Sequence, residues 1–117
     1  MTEQDSRALR VVVADDDTFT LSLVTGGLEA HGFAVTAATT VTDALRAVQT
    51  VEPHALVSDL NFGPGESGAA LLHRVAAEFP WVGLVVLTSH RSPELAVPNP
   101  ELIPASVVYL VKSQLSR

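Results

Sequence analysis

Three consecutive aspartates, Asp15-Asp16-Asp17, follow directly on the apolar run Val11–Ala14, and Asp59 closes the apolar run Ala55–Val57 after Ser58. Thr88 ends a third such run, Val82–Leu87, and Lys112 a fourth, Val107–Val111. Carboxylates brought together repel, and their pKa values rise unless a cation neutralises them. A hard divalent cation does this through oxygen ligands, and magnesium takes one or two carboxylates together with waters and phosphate oxygens. A lysine amine and a threonine hydroxyl facing such a cluster add a positive charge and a hydrogen-bond donor. The set suits a tetrahedral anion held beside a metal ion.

Something must bring these residues together, and the chain supplies a regular alternation of elements. After the aspartates, Leu21, Val24 and Leu28 keep helical spacing from Thr18 to about His31, with Gly32 as a natural stop. Gly26-Gly27 weakens the end of that helix by about 1 kcal/mol per glycine relative to alanine. Phe33–Ala38 alternates like a strand. Thr40-Val41-Thr42-Asp43 has the form of a capping box, and Val41, Leu45 and Val48 continue that helix on one face. Pro53 breaks the chain before the strand that ends in Asp59. Asn61–Gly68 is rich in turn residues, and a helix follows over Ala69–Phe79, with Leu72, Val75, Ala76 and Phe79 inward and Pro80 as its stop. Pro93, Pro98, Pro100 and Pro104 leave room for no more than about one helical turn between Ser92 and Pro104, because interior proline costs roughly 3 kcal/mol.

Five short apolar runs separated by helical patterns predict βαβ units and a parallel sheet covered on both faces, with right-handed crossovers. The expected fold class is α/β, a doubly wound five-stranded sheet in the flavodoxin-like order 2-1-3-4-5. In such a sheet ligands bind beyond the carboxyl ends of the strands, at the switch between strands one and three. That is the edge at which Asp15, Asp16, Asp59, Thr88 and Lys112 fall.

Composition removes several classes of function. A chain of 117 residues, 47% apolar and 17% charged, is one domain with a packed core and not a disordered protein. With no cysteine there is no disulfide and no thiolate metal site, and His31, His54, His73 and His90 are too scattered for a zinc motif. Thirteen acidic against seven basic residues, net −6, argue against direct nucleic-acid contact. Met1–Arg10 lacks the apolar core of a signal peptide, and no apolar run approaches the roughly 20 residues of a membrane span. A cytoplasmic domain is expected, with residues 1–9 as a flexible tail and the domain over 10–117.

The runs VVVADDD, LVSDLN, LVVLTS and VVYLVK, in this order and spacing, resemble the receiver domain of two-component response regulators. Asp59 lies 43 residues after Asp16, and Tyr109 three before Lys112. The resemblance covers Arg10 to Ser113. It implies that Asp59 is the phosphoacceptor, attacking the phosphohistidine of a sensor histidine kinase or a phosphotransfer protein. It implies Mg2+ as cofactor, bound directly by Asp16 and by the backbone carbonyl of Asn61, with Asp15 acting mostly through water and Asp59 completing the set. Lys112 would pair with the acceptor carboxylate and then with the phosphoryl group. Thr88 would swing in to a phosphoryl oxygen, with Tyr109 moving inward behind it. Asp17 would be a frequent third acidic residue and not a ligand. The chemistry implied is in-line phosphoryl transfer, carried by positioning and charge neutralisation, within a phosphorelay and not as a separate enzyme. The resemblance also implies a fragment of a longer response regulator, regulating transcription through a DNA-binding effector that these residues do not contain, and it is compatible with a homodimer.

Four features depart from the family pattern. A Met-Pro pair is missing after Asp59, and Gly63-Pro64-Gly65 lengthens that loop by one residue. Ser113 stands where proline usually follows the lysine in a cis peptide. A non-proline cis bond costs about 3 kcal/mol, so the Lys112–Ser113 bond is expected to be trans. The proline-rich segment reduces the fourth helix, and only five residues follow Lys112, too few for a fifth. An apolar patch near strands one and five is expected where that helix would lie.

The bland readings are specific too. Asp17 would serve as a helix N-cap, Asp59 as a strand-end turn residue, Lys112 as a surface lysine, Thr88 as a structural strand-end residue, Tyr109 as plain core, and Trp81 as packing beside Pro80. An alternative function is a pseudo-receiver, the same fold acting as a constitutive interaction module. A haloacid-dehalogenase-type phosphatase would use Asp15 and Asp17 as D-x-D. That pattern wants threonine or valine where Phe19 stands, and the chain is short for its other motifs. A flavodoxin would need a phosphate-binding loop after the first strand, where three aspartates would repel the flavin phosphate.

Overall fold

A computed structural model of the chain describes residues 8–62, 67–89 and 100–112. The elements are β1 (Arg10–Ala14), α1 (Thr18–Ala30), β2 (Ala34–Ala38), α2 (Val41–Val51), β3 (Ala55–Asp59), α3 (Gly68–Glu78), β4 (Gly83–Thr88), a 3-10 turn (Pro100–Leu102) and β5 (Val108–Val111). The strands form one sheet in the order β2-β1-β3-β4-β5, every neighbouring pair parallel. This is the flavodoxin-like order expected of a doubly wound five-stranded sheet.

Period-two alternation divides the core between the two faces. Val12, Leu56, Leu84 and Val86 pack with Ala44 and Val48 of α2 and with Leu72 and Val75 of α3. Val11, Val13, Val57 and Leu87 point the other way, with Leu21 of α1 buried among them. Toward β5 this second face opens. Val108 and Leu110 lie in register with Val85 and Leu87 yet are exposed, whereas Val11 and Val13 of β1 are buried, so of the patch expected near strands one and five the described residues show the part on β5.

Local signals set the helix boundaries. The Asp17 carboxylate accepts from Phe19 N and caps α1, and Gly32, with φ of 91°, turns the chain out beyond it. Thr40 caps α2 by accepting from Asp43 N at 3.0 Å. The Asp43 carboxylate pairs with Arg46 on the exposed side. Ser67 caps α3 by accepting from Ala70 N at 3.1 Å. The helix over Thr18–Ala30 runs unbroken through Gly26 and Gly27, and both are exposed.

Of the proline-rich segment, the 3-10 turn and the approach to β5 fall within the described residues. Residues 90–99, the glycine-containing loop at 63–66, most of the N-terminal tail and the Lys112–Ser113 bond lie outside them.

Candidate functional site

β1 and β3 are neighbours in the sheet, and their carboxyl ends place Asp15 and Asp59 side by side. Asp15 is fully buried. Its Oδ1 accepts from Asp17 N at 2.8 Å, a local bond that turns the chain sharply out of the strand. Asp16, the next residue, is exposed. Asp15, Asp16 and Asp59 each offer a carboxylate oxygen, and these oxygens lie within 4.8 Å of one another.

Lys112 reaches in from the end of β5, its Nζ 2.9 Å from Asp15 Oδ2 and 3.2 Å from Asp59 Oδ2. The pairing with Asp59 is the one anticipated from the sequence; the pairing with Asp15 is additional. Burial, reinforced by the Asp15 charge, pushes the Asp59 carboxyl above its ordinary value of 3.8 despite the opposing pull of Lys112. Burial works against the charged amine of Lys112, but the hydrogen bond to Asp15 and the charges of both aspartates outweigh it and raise its pKa. Asp17 stands apart. The Thr20 hydroxyl donates to its Oδ2, the main reason its pKa is lowered, so it is the helix cap and lies outside the three-carboxylate cluster.

Thr88 ends β4 and is buried, one residue beyond Leu87, the register partner of Asp59. Tyr109 of β5 is paired with Val86, so it shares the Thr88 face of the sheet, and its side chain is 44% exposed. It is therefore no part of the core. Asn61 follows Asp59 by two residues and forms an isolated antiparallel bridge with Ser67.

That bridge exposes a residue the sequence reading passed over. Gly68, the first residue of α3, donates its N–H to Leu60 O at 2.8 Å. A Cβ at this position would stand 1.8 Å from the Asp59 carbonyl oxygen and 2.8 Å from its carbon, and both are backbone atoms that cannot swing aside. The helix can lie this close to the end of β3 only because residue 68 has no side chain. Ser67-Gly68 at a helix start, directly after the loop, was the available signal.

The donor set fits a hard cation. It is all oxygen, anionic and clustered around the buried Asp15.

Residues 11–104 match the family model of the response regulator receiver domain. The chain belongs to that family. Receiver domains are signalling modules and not classical enzymes. No curated protein matches the chain in sequence. Among solved structures, it is similar to the chemotaxis response regulator CheY4 of Vibrio cholerae, at 22% identity and a TM-score of 0.77, covering 93% of each chain. A CheY-like receiver domain protein from Methanospirillum hungatei gives 22% identity and a TM-score of 0.74, covering 93% of this chain and 88% of that one. The response regulator TrrA of Thermotoga maritima, crystallised in complex with Mg2+-BeF, gives 19% and 0.73, covering 88% and 85%. At these identities the likeness speaks for the fold. Among the described residues, no helix of this receiver domain is long and apolar enough to cross a membrane.

Proposed function

We propose that this receiver domain is a phosphorylation-dependent switch in which Asp59 accepts a phosphoryl group from the phosphohistidine of a sensor kinase or phosphotransfer protein. The observation that carries this reading is the meeting of Asp15, Asp16 and Asp59 with the Lys112 ammonium at the carboxyl edge of the sheet. A carboxylate oxygen of Asp59 attacks phosphorus in line, the bond to the imidazole nitrogen breaks, and that nitrogen leaves with the electron pair. Water later attacks the aspartyl phosphate, returning the free carboxylate and inorganic phosphate.

Asp15, Asp16, Asp59 and the carbonyl of Asn61 would hold Mg2+, which when bound neutralises charge on the carboxylates and the phosphoryl oxygens. Lys112 follows the developing charge from the carboxylate to the phosphoryl group. Thr88 donates its hydroxyl to a phosphoryl oxygen, and the exposed ring of Tyr109 moves inward on the same face of the sheet. That movement alters the surface around β5, which a downstream effector or a second copy of the domain would read.

Intact mass after incubation with Mg2+ and a small acyl-phosphate donor tests the reading. Wild type is expected to gain one phosphoryl group and Asp59→Asn none. A wild type that gains nothing while still binding Mg2+ would support the constitutive interaction module instead.

A further inference from the structure

β2 is the end strand of the sheet, and its outer side is open. Ala34 N donates to Leu9 O and Ala38 O accepts from Asp15 N, so Ala34, Thr36 and Ala38 direct their main-chain groups at β1. Alternation along the strand then turns the N–H and C=O of Val35 and Ala37 away from the sheet. Among the described residues no strand lies beyond them. An open strand edge is a template for pairing with another chain, and charges, prolines or bulges usually block it. β2 has none of these. Residues 33–42 contain no charged side chain and no proline, and the register with β1 is continuous over the whole strand.

The same stretch suits a second copy of itself. In an antiparallel pair related by a twofold axis at Thr36, Val35 of one copy lies opposite Ala37 of the other, and each such pair exchanges two main-chain hydrogen bonds. The open groups are therefore complementary to themselves. Charge points the same way. The chain carries a net −6, so two copies repel, and an uncharged band is where approach costs least. Beside β2, α1 leaves a groove of about 310 Å3 lined by Leu21, Ser22, Thr25, Gly26, Glu29 and Ala37, with Glu29 its one charged group. Ser22 and Gly26 are small and exposed, so they offer little obstruction to α1 of a second copy. The buried Thr25 hydroxyl has no hydrogen-bond partner among the described residues.

We propose that this domain forms a twofold dimer through β2, joining two five-stranded sheets into one, with Thr36 facing its own counterpart across the axis. The dimer leaves β5 free at the opposite side of the sheet, so assembly does not depend on the chemistry at Asp59.

Analytical ultracentrifugation of wild type over a range of concentration and salt tests this. A dimer is expected, tighter at higher salt because the net charges are screened. Two single-cysteine variants read the register, since the chain has no cysteine of its own. Facing residues on the axis lie about 4.5 Å apart between Cα atoms, within disulfide reach. Thr36→Cys should therefore oxidise to a covalent dimer. Ala34→Cys, displaced from its counterpart by about 13 Å along the strands, should not. Thr36→Lys sets two ammonium groups face to face and should weaken the dimer about tenfold or more. A wild type that stays monomeric at every concentration overturns the proposal. So does a dimer in which Thr36→Cys crosslinks no faster than Ala34→Cys, or one that a folded Thr36→Lys leaves intact, because either result puts the interface elsewhere. Should Thr36→Lys fail to fold by circular dichroism, the cysteine pair decides alone.

Discussion

The two edges of the sheet solve opposite problems. At the amino edge, Arg10 donates its backbone N–H to His54 Nδ1 at 2.9 Å, while its own carbonyl accepts from His54 N at 2.8 Å. Its guanidinium caps the carboxyl end of α2, bonding Val51 O at 3.1 Å and Glu52 O at 2.8 Å, where Glu52 turns into the left-handed region with φ of 53°. A cation there meets carbonyls that carry the negative end of the helix dipole. At the carboxyl edge, two buried aspartates share one lysine and a third carboxylate stands beside them. The first edge is settled electrostatically and holds the fold. The second concentrates negative charge that a bound cation would relieve. Stability and chemistry have been placed at opposite ends of the same strands.

The sharpest way to break this division is Gly68→Ala. A Cβ there collides with the Asp59 backbone, so the variant should lose about 3 kcal/mol by the usual cost of overpacking and at least tenfold in acceptor rate. Chemical denaturation and single-turnover phosphorylation measure the two losses. Both should appear together, because the contact joins α3 to the proposed acceptor, Asp59. Arg10→Ala should cost about 2 kcal/mol through lost charge-assisted hydrogen bonds while leaving phosphorylation at the wild-type rate. A matching fall in rate would show that the edges are coupled.

Gly27→Ala, in exposed helix with nothing within 4 Å of the added Cβ, should do the reverse of Gly68→Ala and gain about 1 kcal/mol. Asp59→Asn should also stabilise the metal-free domain at neutral pH. The raised pKa of Asp59 means that the folded state holds the proton more tightly than the unfolded state does, so ionisation penalises folding above the folded-state pKa. That penalty vanishes below the ordinary value of 3.8, so the two proteins should converge in stability as pH falls through that region. Loss of stability in Asp59→Asn at neutral pH would mean that the bond to Lys112 outweighs burial. Arg74→Ala removes an exposed i,i+4 pair with Glu78 and should change stability by no more than about 0.5 kcal/mol.

The sequence made the alternation of elements and the strand-end chemistry legible because both are written in local pattern, whereas the strand order follows from what a doubly wound five-stranded sheet usually adopts. Short apolar runs alternate with helical periodicity, and each run ends in the polar residue that its position in a parallel sheet aims at the edge. The caps at Thr40 and the stop at Gly32 are likewise local. Gly68 was hidden because its reason is a backbone 9 residues away in the chain, which no periodicity records. The second partner of Lys112 was hidden for a related cause. Asp15 and Lys112 belong to strands that are not neighbours, and only the three-dimensional convergence of β1, β3 and β5 shows that one amine serves two carboxylates. Trp81 illustrates the converse. Read as packing beside Pro80, it is 64% exposed and meets the ring of Phe79 edge-on at 5.6 Å, because it precedes β4 outside the sheet.

The single tryptophan and the single tyrosine of the chain therefore stand at opposite ends of the sheet. Trp81 sits at the amino edge, before Gly83, and Tyr109 lies three residues from Lys112 at the other. The domain carries two intrinsic optical probes with separate fields of view. Indole emission should follow unfolding and stay blind to what occupies the pocket, whereas phenol absorbance should respond to occupancy before the fold gives way.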